Sequence, residues 1–212
     1  GVGIARRDGR RAAEQLPRIW DLQMPTSWSA DGRFIVFNVQ RSETGHDIWI
    51  APLSEDRRQW AYLATSAEES GGAFSPDGRW LAYASTASGR NEVYVRSFPK
   101  PGREHQVSFG GGMQPKWTRG GREIVYRSLG ASPKMMAVAV ELGADFRAGT
   151  PRPLFDDQYR TWLPEAPGYD VSRDGERFLM IEEPPAAAPP TQIVVIPRFL
   201  DEMKAKLRAA KK

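Results

Sequence analysis

Short apolar runs separated by glycine, proline and polar residues recur along most of the chain. Residues 34–37, 80–83 and 178–181 are apolar on consecutive positions, whereas a sheet with one wet face would alternate apolar and polar side chains. Because the runs are short and rich in β-branched and aromatic residues, they indicate strands rather than buried helices. Such strands are covered on both faces, as the strands in the middle of a propeller blade are covered by neighbouring blades.

A turn precedes each apolar run, and the two features repeat together. The copies read WSADGRFIVFNV from residue 28, FSPDGRWLAYAS from 74, WTRGGREIVYRS from 117 and VSRDGERFLMIE from 171. A second strand-like run follows in each copy, at residues 46–53, 91–98, 134–140 and 191–197. The turn positions Asp31, Asp77, Gly120 and Asp174 are 46, 43 and 54 residues apart. A repeat of several strands at this spacing is typical of four-stranded propeller blades.

The turn residues have a conformational explanation. In SPDG, Pro76 presets φ for the first central position of a type I turn, Asp77 suits the second, and Gly78 can take the left-handed conformation that often follows. A type I turn also tolerates Arg119, which stands in place of the proline in the third copy. Gly120 replaces the aspartate there, so an aspartate that was catalytic in every unit would be missing from the third. The predicted structural turn residues are Asp31, Gly32, Asp77, Gly78, Gly120, Gly121, Asp174 and Gly175.

The repeats predict an all-β chain that forms a β-propeller portion of about four and a half four-stranded blades, with a short C-terminal helix. The propeller portion spans residues 1–197. It is divided into a half blade at 1–23 and blades at 24–66, 67–110, 111–157 and 158–197. Weaker strand signals near residues 60–63, 105–107 and 153–155 are candidates for outer strands.

The last segment, residues 198–212, is the one helical candidate. Phe199, Met203 and Leu207 recur at four-residue spacing, which indicates an apolar helix face. The segment holds 6 Lys/Arg against 2 Asp/Glu and so carries the whole net charge of +4, because the other residues hold 24 of each sign. A basic tail of this kind is usually a solvated helix face, and we expect no nucleic-acid partner. The helix is expected to pack on the propeller rim; docking on a membrane surface or on a partner is the alternative.

Other features of the composition exclude several kinds of site. The chain has no cysteine, which rules out disulfides, thiolate metal sites and a cysteine nucleophile. No stretch approaches the length of apolar residues that a membrane helix needs, so stable membrane insertion is not expected. The compartment is not determined by these residues.

At the turn and strand residues quoted above, the sequence resembles the TolB-like β-propeller repeat family. Its unit carries a W/F-S-P-D-G-R/K turn, an apolar strand and a D/E-I/V-Y/W-V strand. The match covers roughly residues 16–197. The stretches VYVRSFPKPGREHQVSFGGGMQPKWTRGGREIVYRS and GTPRPLFDDQYRTW…YDVSRDGERFLMI resemble the C-terminal propeller portion of large bacterial TolB-like proteins, often fused to a serine/threonine kinase domain.

This resemblance implies an interaction or sensing module in an extracytoplasmic or periplasmic setting. The departures from the family pattern are Gly120 in the third turn and a shortened N-terminus. Residues 2–5 and 18–22 look like the last two strands of a blade whose first two are absent. We therefore expect either the C-terminal fragment of a longer propeller or self-association of two copies through the open propeller ends.

The residues that could carry chemistry do not form a catalytic pattern. His46 and His105 lie in different repeats without ligand or triad spacing, and no G-x-S-x-G nucleophile elbow is present. The glycine-rich residues 109–115 precede a strand signal rather than a helix, so they indicate a connection between blades and not a phosphate loop. The adjacent carboxylate pairs at 68–69, 156–157 and 182–183 would point to opposite faces of a strand. No catalytic residue, cofactor or metal site is predicted.

An insertion in the third interval supplies the candidate contact surface. Tyr159, Arg160 and Trp162 interrupt the repeat, and loops inserted on a rigid scaffold are common binding elements. The alternative is an exposed crossover between blades.

The predicted function is a non-catalytic module for binding or sensing a protein or peptide, through the loops or the channel rim. The partner is not identified by the sequence. Two rivals stay open at this point: an accessory propeller that gates substrate for a peptidase, and a propeller enzyme of the lactonase or lyase type.

Overall fold

Antiparallel sheets built from consecutive strands make up most of the chain. The structure is a computed structural model that describes residues 3–4, 14–16, 22–54, 58–159 and 168–182. Two short strands come first, β1 (Gly3–Ile4) and β2 (Glu14–Gln15), which pair with each other. Within the predicted half blade at 1–23, the described residues are 3–4, 14–16 and 22–23. The strands belong to one compact unit, residues 1–181.

Two four-stranded sheets follow, each hydrogen-bonded in chain order. Blade 1 consists of β3 (Gln23–Trp28), β4 (Phe34–Arg41), β5 (Gly45–Pro52) and β6 (Trp60–Leu63). Blade 2 consists of β7 (Glu69–Phe74), β8 (Trp80–Ser85), β9 (Glu92–Ser97) and β10 (His105–Gln106).

The third sheet adds a short extra strand to the four of a blade. Blade 3 consists of β11 (Gly112–Thr118), β12 (Glu123–Ser128), β13 (Lys134–Leu142) and β15 (Arg152–Asp156). The long strand β13 pairs with β15 along its first half and with β14 (Phe146–Ala148) at its far end. Blade 4 is described for two strands, β16 (Tyr169–Val171) and β17 (Phe178–Met180).

The second strand of each blade shows why the runs are apolar on consecutive residues. Val36 on β4 packs with Leu81 on β8 in the core between blades 1 and 2. The next residue on β8, Ala82, packs with Ile124 on β12 in the core between blades 2 and 3. One face of β8 therefore meets the preceding blade and the other meets the following blade. Leu179 occupies in blade 4 the position that Val36 and Ala82 occupy in blades 1 and 2, and it is 74% exposed.

The prediction of an all-β propeller portion is confirmed by these sheets. The candidate outer strands near residues 60–63, 105–107 and 153–155 correspond to β6, β10 and β15. The predicted blade boundaries stay predictions. The helix predicted at 198–212 lies outside the described residues.

Candidate functional site

Asp77 is held by its own turn. The hydroxyl Oγ of Ser75 donates to Asp77 Oδ1 over 2.6 Å and accepts the N–H of Trp80 at 3.0 Å. The N–H of Arg79 donates to the same carboxylate oxygen at 3.1 Å. Gly78 lies at φ +70° and its N–H donates to the Ser75 carbonyl, which closes the turn. The carboxylate thus orders the reversal between two strands.

Asp31 and Asp174 occupy the same place in their turns. The backbone N–H of Arg33 and the hydroxyl of Ser29 lower the pKa of Asp31 to about 2. The hydroxyl of Ser172 is the main cause of a lowered pKa at Asp174. A carboxylate with a low pKa whose oxygens are already bonded is a poor general base, because that role needs a pKa near the working pH.

The third turn has a different conformation from the type I turn expected there. Gly120 has φ 67° and ψ 27°, Gly121 has φ 89°, and the N–H of Arg122 donates to the Arg119 carbonyl at 3.4 Å. Arg119 itself has φ 51°, and the two glycines at positive φ that follow it are the pattern of a type I′ turn, which glycine adopts without a steric penalty. The replacement of aspartate by Gly120 therefore accompanies a change of turn type.

The third turn also contacts the fourth. The N–H of Arg119 donates to the carbonyl of Arg173 at 3.0 Å, and its guanidinium lies 2.6 Å from Glu176. The hydroxyl of Thr118 donates to the carbonyl of Ser172 at 3.3 Å. These turns join blades 3 and 4.

The predicted contact loop is described only at its first residue. The carbonyl of Tyr159 accepts a hydrogen bond from Arg127 at 3.5 Å, and its N–H donates to Asp157 at 3.4 Å. Tyr159 is half-buried. Arg160 and Trp162 lie outside the described residues, so their part in a contact surface stays a prediction.

The histidines and adjacent carboxylates have separate structural partners. His46 Nδ1 lies 2.9 Å from Glu68, while Glu69 accepts hydrogen bonds from Thr65. Likewise Lys134 pairs with Asp156, and the buried Arg127 lies 3.0 Å from Asp157. Adjacent acids therefore serve different neighbours, as expected for residues on opposite faces of a strand.

The glycine-rich connection surrounds a carboxylate of the protein itself. The N–H groups of Gly110 and Gly111 donate to Glu92 Oε1 at 2.9 and 2.8 Å, and the Ser108 hydroxyl donates to the other oxygen. Glu92 is buried. From Gly112 onward the same stretch becomes β11. The loop is thus already occupied by an anionic group, which leaves its N–H groups unavailable to a phosphate.

A polar concavity lies where the first strands of the blades meet. These inner strands are β3, β7, β11 and β16, which border the propeller axis. A pocket of about 210 Å³ is lined by residues of all four, and it includes Pro76 of the second turn. We call this the axial pocket. Its wall residues include Thr26, Ser27, Gly71, Gly72, Lys116 and Asp170.

Side chains of one inner strand bond to the backbone of the next around the axial pocket. The bonded pairs are Thr26 Oγ1 with the Gly72 carbonyl at 2.7 Å, Trp117 Nε1 with the Ala73 carbonyl at 2.9 Å, and the Tyr169 hydroxyl with the Gln114 carbonyl at 2.7 Å. Each hydrogen bond goes to a backbone carbonyl oxygen. In a continuous sheet, an N–H of the adjacent strand would donate to that oxygen instead. The inner strands therefore form a connected wall.

The wall combines bare backbone with one charged pair. Gly71 has φ +68°, and a Cβ built on Gly72 would lie 2.6 Å from Val36, so side chains are absent there. Lys116 Nζ lies 3.1 Å from Asp170 Oδ1, and the carboxylate side chain is 69% exposed. The axial pocket is thus lined by peptide groups, hydroxyls and an ion pair.

Solved structures with this arrangement of blades are known. A structure described as TolB from Agrobacterium tumefaciens matches with a TM-score of 0.56 and 16% identity over 70% of this chain and 55% of that chain. TolB from Acinetobacter baumannii matches with a TM-score of 0.54 and 19% identity over 81% of this chain and 40% of that chain. The chain has a TolB-like propeller fold. At these identities the likeness shows the fold alone.

This chain spans about half the length, or less, of the proteins in these two structures. No protein-family profile matches the chain, and no curated protein matches it. The described residues contain no group of three acidic, histidine or cysteine side chains placed to hold a metal ion. Within the same ranges there is no helix with the length and apolar character needed to cross a membrane.

Sequence reasoning missed the inner strands and therefore the axial pocket. It identified the apolar strand after each turn, whereas β3, β7 and β11 precede the turns and contain proline, glycine and hydroxyl residues. Each of these three strands also has a shift in register with its neighbour, which obscures alternation. The available signal was the aromatic residue directly before each of the first three turns, at Trp28, Phe74 and Trp117.

Proposed function

We propose that this chain is a non-catalytic module that binds a protein or peptide partner at the axial pocket. The observation that carries the proposal is the stretch of wall without a side chain at the half-buried Gly71, beside the Lys116–Asp170 pair. Bare backbone lets an extended chain approach closely, and a small number of polar groups can orient it. The TolB-like fold agrees with this assignment at the level of architecture.

The non-catalytic part of the proposal rests on the partners of the candidate catalytic groups. The turn aspartates accept hydrogen bonds within their own turns. His46 lies against Glu68, and the glycine-rich loop is filled by Glu92. These residues are accounted for by folding roles, which supports a binding role for the chain.

A peptide selection tests the proposal. Random peptides displayed on phage are selected on the immobilised protein, and the affinity of the selected peptides is measured by fluorescence anisotropy. Lys116→Glu reverses a charge in the axial pocket and is expected to weaken binding at least about tenfold. Lys134→Glu is the matched control, because Lys134 also pairs with an aspartate of the same part of the chain but does not line this pocket.

Two results would contradict the proposal. One is that no peptide survives selection on a protein whose circular dichroism and thermal unfolding show that it is folded. The other is that the selected peptides bind Lys116→Glu as tightly as the unchanged protein.

A further inference from the structure

A second cleft, of about 490 Å³, lies between blades 2 and 3 and away from the axial pocket. One wall is the outer strand β10 with the loop before it, and the other is the β13–β14 hairpin of blade 3. The residues that matter here are Trp80, Arg103, His105, Asp145, Phe146 and Arg147. We call this concavity the basic cleft. Its volume falls within the range of about 300 to 1,000 Å³ that is common for small-molecule sites.

Three rings in mutual contact form the floor of the basic cleft. The ring centroids of His105 and Phe146 are 5.3 Å apart, those of Trp80 and Phe146 are 5.5 Å apart, and those of Trp80 and His105 are 6.1 Å apart. Trp80 and Phe146 are buried, whereas His105 is half-buried. The imidazole is thus the part of the ring cluster that a ligand in the cleft can cover.

The walls carry an excess of positive charge. Arg103 and Arg147 are exposed, and neither side chain makes an ion pair or hydrogen bond in the part of the chain that the structure describes. By contrast, Arg79 and Arg96 of the same blade 2 are paired with carboxylates. Asp145 is the one acidic residue that lines the cleft.

The indole N–H of Trp80 is buried, so a ligand in the cleft does not reach it. The groups that a ligand can reach are the two unpaired guanidinium groups and the half-buried imidazole. Both kinds of group favour the same kind of ligand group, an oxyanion.

We propose that the basic cleft binds a small organic anion, an aromatic ring that bears a carboxylate or phosphate group. The oxyanion pairs with Arg103 and Arg147, and the ring lies on His105 above the aromatic floor. The site is independent of the axial pocket and of any peptide that binds there.

Binding of such an anion is coupled to the protonation of His105. Burial and the nearby Arg103 lower the pKa of His105, and Asp145 acts in the opposite direction. The rings of Trp80 and Phe146 that pack against the imidazole are uncharged. Because protonation adds a third positive charge to the cleft, the affinity for an anion increases as the pH falls through the pKa of His105.

Titration calorimetry with two probes, indole-3-carboxylate and phenyl phosphate, tests the site. Both are expected to bind the full chain, and the neutral indole-3-carboxamide is expected to bind at least about tenfold more weakly. Arg103→Gln and Arg147→Gln each weaken binding about tenfold, whereas Arg173→Gln, an exposed arginine on the fourth turn, leaves it unchanged. For indole-3-carboxylate, whose carboxylate stays ionised across the histidine range, His105→Gln removes the pH dependence of binding. The stronger of the two probes identifies the preferred oxyanion.

Several outcomes would overturn the proposal. One is that neither probe binds at millimolar concentration. Another is that indole-3-carboxylate and indole-3-carboxamide bind equally well. The third is that Arg103→Gln and Arg173→Gln lose affinity equally. Both arginines are exposed, so thermal unfolding of the variants should match the unchanged protein and exclude misfolding as the cause.

Discussion

The indole N–H of Trp117 donates a hydrogen bond to the carbonyl oxygen of Ala73, 2.9 Å away, across the boundary between blades 2 and 3. The two residues are 44 positions apart in the chain. Trp28 occupies the same place in blade 1, before its turn, but it is 52% exposed. One repeat position therefore has an inter-blade role in blade 3 that its counterpart in blade 1 lacks among the described residues.

Replacing this donor should weaken the interface between blades 2 and 3. Trp117→Phe keeps an aromatic ring but removes the N–H and some packing, so the free energy of unfolding should fall by about 1 to 2 kcal/mol. Trp28→Phe is the matched control and should change it by less than about 0.5 kcal/mol. Urea unfolding followed by tryptophan fluorescence and circular dichroism provides the measurement. Equal effects of the two changes would contradict an inter-blade role for Trp117.

The close approach of blades 1 and 2 predicts a large effect of one methyl group. A Cβ on Gly72 would lie 2.6 Å from Val36 Cγ2, so Gly72→Ala should lower the free energy of unfolding by about 1 to 3 kcal/mol. Gly143→Ala is the control, because its Cβ would meet the nearest atom, the Asp145 carbonyl oxygen, at an ordinary 3.4 Å. Thermal unfolding of both variants measures the loss of stability. A stable Gly72→Ala protein would show that the two blades are further apart than described.

Two adjacent aspartates are expected to differ strongly in their contribution to stability. Asp157 and Arg127 are each 3% exposed in their side chains and lie 3.0 Å apart, whereas Asp156 is 81% exposed and pairs with Lys134. Asp157→Ala removes the carboxylate facing a buried guanidinium and should cost about 3 kcal/mol. Asp156→Ala should cost less than about 0.5 kcal/mol. Denaturant unfolding measures both, and similar losses would argue against burial of the Arg127–Asp157 pair.

The turn carboxylates should make stability depend on acid. The pKa of Asp31 falls from its ordinary 3.8 to about 2 in the folded chain, so the ionised form favours folding. This contribution is complete above about pH 4 and is lost as the pH falls towards about 2. The stability advantage of the unchanged protein over Asp31→Asn should therefore be constant above about pH 4. Below that pH it should decrease.

Asp77 is expected to show the same acid dependence, although burial opposes the lowering of its pKa. Burial by itself raises the pKa of Asp77, but hydrogen bonds from Ser75 and Arg79 outweigh it, and the pKa is lowered. Asp77→Asn should show the same direction of change below about pH 4. Urea unfolding at several pH values measures this, and a difference that does not vary with pH in either variant would refute the role of the turn carboxylates.

The candidate sites were predicted less completely than the fold. Tyr159 was predicted as a contact residue, whereas the axial pocket is formed by residues such as Gly72 and Lys116 that carry no distinctive motif. Sequence reasoning treated His105 as an isolated histidine, but the structure places it against Phe146 of the next blade. These groupings arise from contacts between blades, which spacing along one repeat does not contain.

The sequence by itself determined the blade architecture, because its causes are local. Strands apolar on both faces need a sheet on each side. A serine followed two residues later by an aspartate and then a glycine orders a turn through hydrogen bonds that span only a few residues. The tertiary structure decided which strands became neighbours across a blade boundary. Only that arrangement placed Lys116 beside Asp170, Trp117 on Ala73, and Arg103 across the basic cleft from Arg147, because such pairs depend on how separate repeats pack.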